Sequence, residues 1–387
     1  MKKYNSIDKK DLRYASKILK SGKLSGFLAG SSNLFYGGKY VKLFENKLQK
    51  YFGAKYAITV NSWTSGLVSA IGALNLREGD EVILPTWTMS ACLASIIHYK
   101  LNPVICDIDE NDFTIDVQKI EKLITKKTKA IMAVDIFGAA CDYDKIFRIT
   151  KKYKLKLITD SAQAIGGKYR KKYLSTFSDI GGFSLNRHKH INTGEGGILL
   201  TNNKEYAERL YLIRNHAESS LKKNQINKYR KLVGYNFRLG EIESAIGITQ
   251  LSKLKKIIEK RKKDSEKLYK IIKKYEGIIT PSEKYITSSV FYFVPFKIDK
   301  KKILTKKKII LDLFKKYNLD IRGSYSSLHN LPIAKTLINK NKCSTADKLN
   351  QSTFLYFPIC LYKLDAKTIN SFSKKFNLVW SKLKFKK

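Results

Sequence analysis

Between Tyr56 and Asp160, short apolar runs alternate with amphipathic stretches, and few folds accommodate that pattern. Tyr56–Val60, Glu81–Leu84, Pro103–Asp107, Ala130–Asp135 and Leu155–Asp160 read as strands. Thr64–Leu76, Ser90–Tyr99, Asp116–Ile124 and Tyr143–Lys152 read as helices; in the first, Leu67, Ala70, Ile71 and Leu74 fall at helical spacing. Apolar strands joined by amphipathic helices imply an α/β protein with a mostly parallel sheet in the middle of three layers. Ligands of such sheets sit beyond the carboxyl ends of the strands. Asn61–Ser62, Pro85–Thr86, Asp135, Asp160 and Ser184–Lys189 all follow strand ends, so they are expected to converge on one crevice.

The flanking segments are less regular. Up to about Gly38 short helical patches surround a Gly/Ser-rich stretch, Ser21–Ser32, expected as an exposed arm or a loop over a site. A helix carrying Val41, Phe44, Leu48 and Tyr51 follows. From Ile242 to Tyr275 a long lysine-rich helical stretch is expected to join the large domain to a smaller one. The remainder, with strand-like Val290–Phe296, a helix near Ile309–Tyr317 and Phe354–Cys360, reads as a compact α+β cap. The division expected is residues 1–250 as the large ligand-binding domain with its N-terminal arm and residues 251–387 as the small C-terminal domain.

Composition narrows the function classes. No apolar run approaches bilayer length and the opening Met1–Asn5 lacks a signal-peptide core, so a cytoplasmic protein without a membrane partner is expected. Cys92, Cys106, Cys141, Cys343 and Cys360 have neither a CxxC pair nor metal-like spacing, which favours buried free thiols and no metal site. The net charge of +42 raises nucleic-acid binding. The lysines are spread along the whole chain, however, which points to general lysine bias rather than a nucleic-acid surface. An anionic substrate still gains from the field.

Chemistry concentrates between Gly182 and Gly197. An apolar run leads into Asn186-Arg187-His188-Lys189-His190, then a turn with Gly194-Glu195-Gly196-Gly197, then apolar Ile198-Leu199-Leu200. Such a layout can hold a lysine at the end of a buried strand, where burial and cationic neighbours lower the ammonium pKa. A lysine so tuned attacks carbonyls to form a Schiff base. The plain alternative is a strand–turn–strand with a solvated basic loop. Other features are equally two-sided. Asn61-Ser62-Trp63-Thr64-Ser65-Gly66 lies where a strand meets a helix and suits a phosphate, or is an ordinary helix cap. Asp160, with Gln163 three residues on, suits a pyridinium nitrogen, or caps a helix. Ser184, five residues before Lys189, could reach a phosphate, and Gly234-Tyr235-Asn236-Phe237-Arg238-Leu239 sets a polar pair in an apolar stretch.

The order and spacing of these pieces resemble the DegT/DnrJ/EryC1/StrS family of pyridoxal-phosphate (PLP) sugar aminotransferases. The likeness runs through Asp160-Ser161-Ala162-Gln163, Phe183-Ser184 with Lys189, Gly194–Gly197 and Gly234–Arg238. It extends to Gly37–Glu45, Gly79–Ile83 and Leu328-His329-Asn330-Leu331-Pro332, nearly the whole chain. The resemblance implies the fold-type-I PLP-dependent transferase architecture, with pyridoxal 5'-phosphate bound in the large domain. It implies that Lys189 holds the cofactor covalently and shuttles protons, that Asp160 pairs with the pyridine nitrogen, and that Gln163 contacts the ring hydroxyl. Thr64, Ser184 and the backbone at Trp63 would hold the phosphate, and Asn236 would reach it from the neighbouring subunit of a homodimer. An amino acid, glutamate in this family, would supply the amine to a nucleotide-linked keto sugar for surface polysaccharide or glycan synthesis. His329, Arg238, Tyr235 and Arg187 are candidates for donor carboxylate or sugar phosphates.

Three departures stand out. Trp63 occupies a position that is usually glycine in the family, so its large side chain is expected to point away from the phosphate turn. The ring-stacking aromatic aligns with Met89, leaving either Met89 or a displaced Trp87 over the cofactor face. The stretch from Gly26 to Gly37 is longer than usual. Two rival readings stay open on these residues. His188 and His190 flank Lys189, and relatives with histidine at the lysine position are sugar dehydratases. A non-catalytic basic binding or regulatory protein on the same fold is the other.

Overall fold

The computed structural model describes residues 2–30, 32–221, 223–337 and 342–386. Strands β1 (Tyr56–Val60), β2 (Glu81–Pro85), β3 (Asn102–Cys106), β4 (Thr128–Val134) and β5 (Lys156–Asp160) are followed by a two-residue hairpin, β6 (Lys168–Tyr169) and β7 (Lys172–Tyr173). Then come β8 (Ile180–Ser184) and β9 (Gly197–Thr201). Seven of them form one sheet in the order β1-β9-β8-β5-β4-β2-β3. All its strands run in one direction except β9, which pairs antiparallel with both β1 and β8.

Period-two alternation explains why both faces of this sheet are covered. Ile58, Leu84, Met132 and Ile158 pack into one hydrophobic cluster, with Leu67, Ile71 and Leu93. Their strand neighbours Ala57, Ile83, Ile131 and Leu157 pack into the other, with Phe44, Leu48 and Ile146. After α1 (Lys9–Ser21), Phe44 and Leu48 come from α2 (Lys39–Phe52), Leu67 and Ile71 from α3 (Trp63–Leu74), Leu93 from α4 (Ser90–His98) and Ile146 from the helix Tyr143–Tyr153. The fold is therefore the three-layer α/β arrangement expected from the alternating pattern.

Beyond the sheet, the lysine-rich stretch is two helices rather than one: Glu241–Leu251 and Leu254–Ile272. Both Leu251 and Leu254 are buried across the break, so the apolar stripe is continuous even though the helix is not. A second sheet, β10 (Ile278–Ile279), β11 (Val294–Ile298) and β12 (Phe354–Phe357), is antiparallel. The expected strand at Val290 starts only at Val294. Residues 290–293 instead lie against the strained turn at Phe137, whose carbonyl accepts from the Tyr292 and Phe293 N–H groups. Phe137 has φ 57° and no solvent exposure, a backbone state that costs a non-glycine residue roughly 1–3 kcal/mol. Its N–H is held by Gln163 Oε1 at 2.7 Å. Phe372, Phe376 and Trp380 stack in series along the last helix, Ala366–Trp380, and Phe357 of β12 meets Phe372 edge-on.

The Gly/Ser-rich segment is anchored, not free. Asn215 donates to the Leu28 and Phe35 carbonyls, both at 3.0 Å, and Gly26 lies so close to Gly38 that any side chain there would collide. Ser31 of that stretch lies outside the described residues. Among the described residues no helix is long and apolar enough to cross a membrane. Among the described residues the cysteines are buried and form no disulfide.

Candidate active site

The carboxyl ends of β1, β2, β4, β5 and β8 open into one cleft of about 440 Å³. Of the strand ends expected to converge, Ser62, Asp135, Asp160, Ser184 and Lys189 line it, joined by Trp63, Thr64, Met89 and Gln163, whereas Asn61, Pro85 and Thr86 do not. Tyr292, Phe293 and Tyr325 close it from the segments flanking β11 and leading toward β12.

Lys189 sits on an excursion between β8 and β9. The Leu185 N–H donates to the Gly196 carbonyl at 2.8 Å and the Arg187 N–H to Gly194 at 3.0 Å, closing the base of the loop. Gly194 and Gly196 take φ of 90° and 148°, which glycine adopts without the strain of a side chain. On the inner side Ile191 and His190 are fully buried and staple the loop down. His190 is kept neutral, its pKa pushed down to about 3 chiefly by burial, so Nε2–H donates to the Val290 carbonyl at 2.8 Å. Lys189 is left facing the cleft with its ammonium 4.7 Å from the Tyr292 ring centre. Burial lowers the lysine pKa from its usual value, while Asp160 and Cys360 pull it back up. The lowered value raises the neutral, nucleophilic fraction near neutrality.

Opposite it, Asp160 ends β5 and is 4% exposed. Its Oδ1 accepts from Trp63 Nε1 at 2.7 Å and from the Ala162 N–H at 3.0 Å, and its Oδ2 from Cys92 Sγ at 3.1 Å. The thiol is held protonated because burial, and then the Asp160 charge, push its pKa well above the usual range. The Trp63 side chain points away from the phosphate turn, as expected, and into the protein rather than out of it. Its indole lies under the cleft floor and engages the carboxylate.

The phosphate end is built by α3. Ser62 caps it: its Oγ accepts from the Ser65 N–H at 3.1 Å, while Gly66 N–H donates to the Ser62 carbonyl. No described hydrogen bond uses the N–H groups of Trp63 and Thr64, which leaves the helix N-terminus facing the cleft with the partial positive charge that draws anions. Ser184 is buried beside it; its Oγ accepts from the Asn186 N–H at 3.2 Å and retains its own hydroxyl proton to donate. Ser62→Ala is expected to destabilise the cofactor-free protein by about 1 kcal/mol through the lost cap, read as a lower denaturation midpoint.

Gln163 spans the cleft wall. Besides holding Phe137, it donates from Nε2 to the Tyr325 hydroxyl at 3.1 Å, with a second amide hydrogen remaining. Met89 lines the cleft and is 65% exposed, whereas Trp87 is fully buried, donating to Ser327 Oγ and packed on Phe354. Of the two, only Met89 is placed to meet a cofactor face.

The four substrate candidates do not line the cleft. His329 is held between Thr86 and Asp347, Tyr235 bonds His98, and Arg238 donates twice to Asn215 Oδ1. Arg187 is exposed, with its Nε near His188, and His188 itself lines the cleft. Asn236 is exposed outside its own chain's cleft. Sequence reasoning missed Tyr292, Tyr325 and Cys92. No motif marks them, since each reaches the site through long-range packing.

The residues fit pyridoxal 5'-phosphate. One end of the cleft offers an N-terminal helix charge and a serine hydroxyl, the other a buried carboxylate fixed at both oxygens, with an amine of lowered pKa between. The DegT/DnrJ/EryC1/StrS aminotransferase family model matches residues 21–362. The UDP-4-amino-4,6-dideoxy-N-acetyl-beta-L-altrosamine transaminase of Helicobacter pylori is 31% identical over 359 residues, 92% of this chain and 90% of that one. GDP-perosamine synthase of Escherichia coli O157:H7 is 38% identical over 233 residues, 60% of this chain and 63% of that one. Among solved structures, Helicobacter pylori PseC, an aminotransferase involved in the biosynthesis of pseudoaminic acid, superposes with a TM-score of 0.86 at 26% identity. That match covers 98% of this chain and 99% of PseC.

Proposed function

The chain belongs to the DegT/DnrJ/EryC1/StrS aminotransferase family, and from that premise we propose that Lys189 and Asp160 are the groups through which it works. The protein is a PLP-dependent aminotransferase of nucleotide-linked keto sugars, serving polysaccharide biosynthesis. The observation that carries the assignment of residues is the cleft itself. Lys189, the fixed carboxylate of Asp160 and the N-terminus of α3 open into the same space.

Bound pyridoxal phosphate supplies an aldehyde for the amine and a ring that draws off electrons when its nitrogen is protonated. The chain's residues do the rest. Thr64, Ser184 and the Trp63 backbone would bind the phosphate, and Asp160 would hold the ring nitrogen in its protonated form. Gln163 would meet the ring hydroxyl with its remaining amide hydrogen, and Met89 would cover the ring. Lys189 would hold the cofactor and carry protons between substrate carbon and amine. The amine donor is L-glutamate. The working unit is a cytoplasmic homodimer; the free thiols suit a reducing compartment. Its exposed Asn236 would reach the other copy's cleft. Residues 1–250 form the cofactor-binding unit and residues 251–387 the smaller one.

The dehydratase alternative needs a histidine where Lys189 stands. Against it, His190 is buried on the Val290 carbonyl, and the side chain over Tyr292 is the lysine. Borohydride treatment of the cofactor-loaded protein tests the proposal directly. Peptide mapping is expected to find the reduced cofactor on Lys189, and a map without that adduct rejects the assignment.

A further inference from the structure

Trp63 contributes to the cleft at two points, and the second belongs to none of the roles above. Its backbone opens α3 at the phosphate end. Its side chain turns back under the floor, 6% exposed, and ends with Nε1 2.7 Å from Asp160 Oδ1. We propose that Trp63 is a positioning residue for the cofactor ring, fixing Asp160 so that the unoccupied edge of its carboxylate faces the ring nitrogen. The inference rests on the cofactor and the Asp160 role proposed above.

The fold makes room for this indole specifically. A side-chain carbon at Gly66, one turn along α3, would come within 2.7 Å of the Trp63 ring. One at Gly182, which pairs with Asp160 across β5 and β8, would come within 2.4 Å. Two close approaches from two elements define a slot with the indole nitrogen at its carboxylate end.

The chemistry of the pair has one orientation. Indole N–H is a donor only, and an ionised carboxylate is an acceptor only, with about four lone-pair sites. Trp63 and Ala162 N–H occupy Oδ1, and the Cys92 thiol takes a site on Oδ2. One site on Oδ2 is left for the cleft. A carboxylate anchored at one oxygen cannot rotate to present the other edge. Because the same residue starts the phosphate-binding helix, the two ends of the cofactor site share one rigid part.

The test compares the loaded wild-type enzyme with Trp63→Phe, which keeps an aromatic ring and removes the donor. Loss of a hydrogen bond to a charged group corresponds to roughly tenfold to hundredfold. The expected result is pyridoxal phosphate binding weakened by about that factor, measured by equilibrium dialysis. The pH-titration midpoint of the bound cofactor's absorbance band also shifts, and kcat falls with little change in KM for the donor. In an Asp160→Asn background the same change is expected to add little. A variant with benzothienylalanine at position 63, of the same shape with sulfur replacing N–H, repeats the comparison should phenylalanine compromise folding. Wild-type affinity and titration in the benzothienylalanine variant overturn the inference, as does an equal loss with and without the Asp160 charge. If the wild type itself binds no cofactor, or borohydride marks another residue, the proposed function falls first and this inference with it.

Discussion

Lys189→Ala is expected to abolish amino transfer, with turnover reduced roughly 10⁴-fold or more, while cofactor binding survives in weakened form. The size follows from the two duties that one side chain carries, covalent attachment and proton transfer. A positioned general acid–base group alone contributes 10²–10⁴-fold. No neighbour can take over. His190 is held neutral and turned onto the Val290 carbonyl, and His188, though it lines the cleft, has its basicity lowered chiefly by burial and then by Arg187 and Lys189. Binding survives because the other holds are separate elements of the fold. By the proposed assignment the N-terminus of α3 and Ser184 would grip the phosphate end and Asp160 the ring end, and each is fixed by its own hydrogen bonds. Release of 2-oxoglutarate from glutamate measures turnover and dialysis measures the retained cofactor. A variant that still turns over would sink the assignment.

Much of this site is legible in the sequence because it is local. The strand-end positions of Asp160 and Ser184 follow from apolar runs whose length and flanks identify buried strands, and parallel topology brings such ends together. The family resemblance selects Lys189 by its place in the pattern, five residues from Ser184 and five from Gly194. What stayed hidden depends on contacts distant in sequence. Tyr292 enters because residues 290–293 dock on the turn at Phe137, more than 150 residues earlier in the chain. A run of Val, Phe and Tyr there looks like strand by propensity, and the tertiary bonds to Phe137 and Gly138 override it. Trp63 was half legible. A bulky residue at a phosphate turn suggests a side chain directed away from it, and only the close approaches of Gly66 and Gly182 reveal the slot beneath the cleft that receives it. None of the basic candidates lines the cleft of its own chain. Arg238 and His329 are consumed by Asn215, Thr86 and Asp347, partners that residue type alone does not disclose.

Asp160→Asn carries the second large expected effect, a fall in kcat of roughly 10²–10³-fold, the usual range for removing one preorganised electrostatic contact. The substitution preserves shape, so the loss isolates charge. Its direction can be derived from the bonds already present. Trp63 Nε1 and the Ala162 N–H both donate to Oδ1, so that position must stay an oxygen. The amide nitrogen is thereby forced into the place of Oδ2, beside Cys92 and facing the cleft. An acceptor that holds a proton on the ring nitrogen becomes a donor that can bond only the unprotonated ring, and the ring loses its pull on electrons. The phosphate contacts are untouched, so the variant still loads with cofactor, and its absorbance band shows the changed ring protonation. Single-turnover decay of that band with glutamate measures the rate. An unchanged rate, with the cofactor bound, would show that Asp160 holds the ring without governing its protonation.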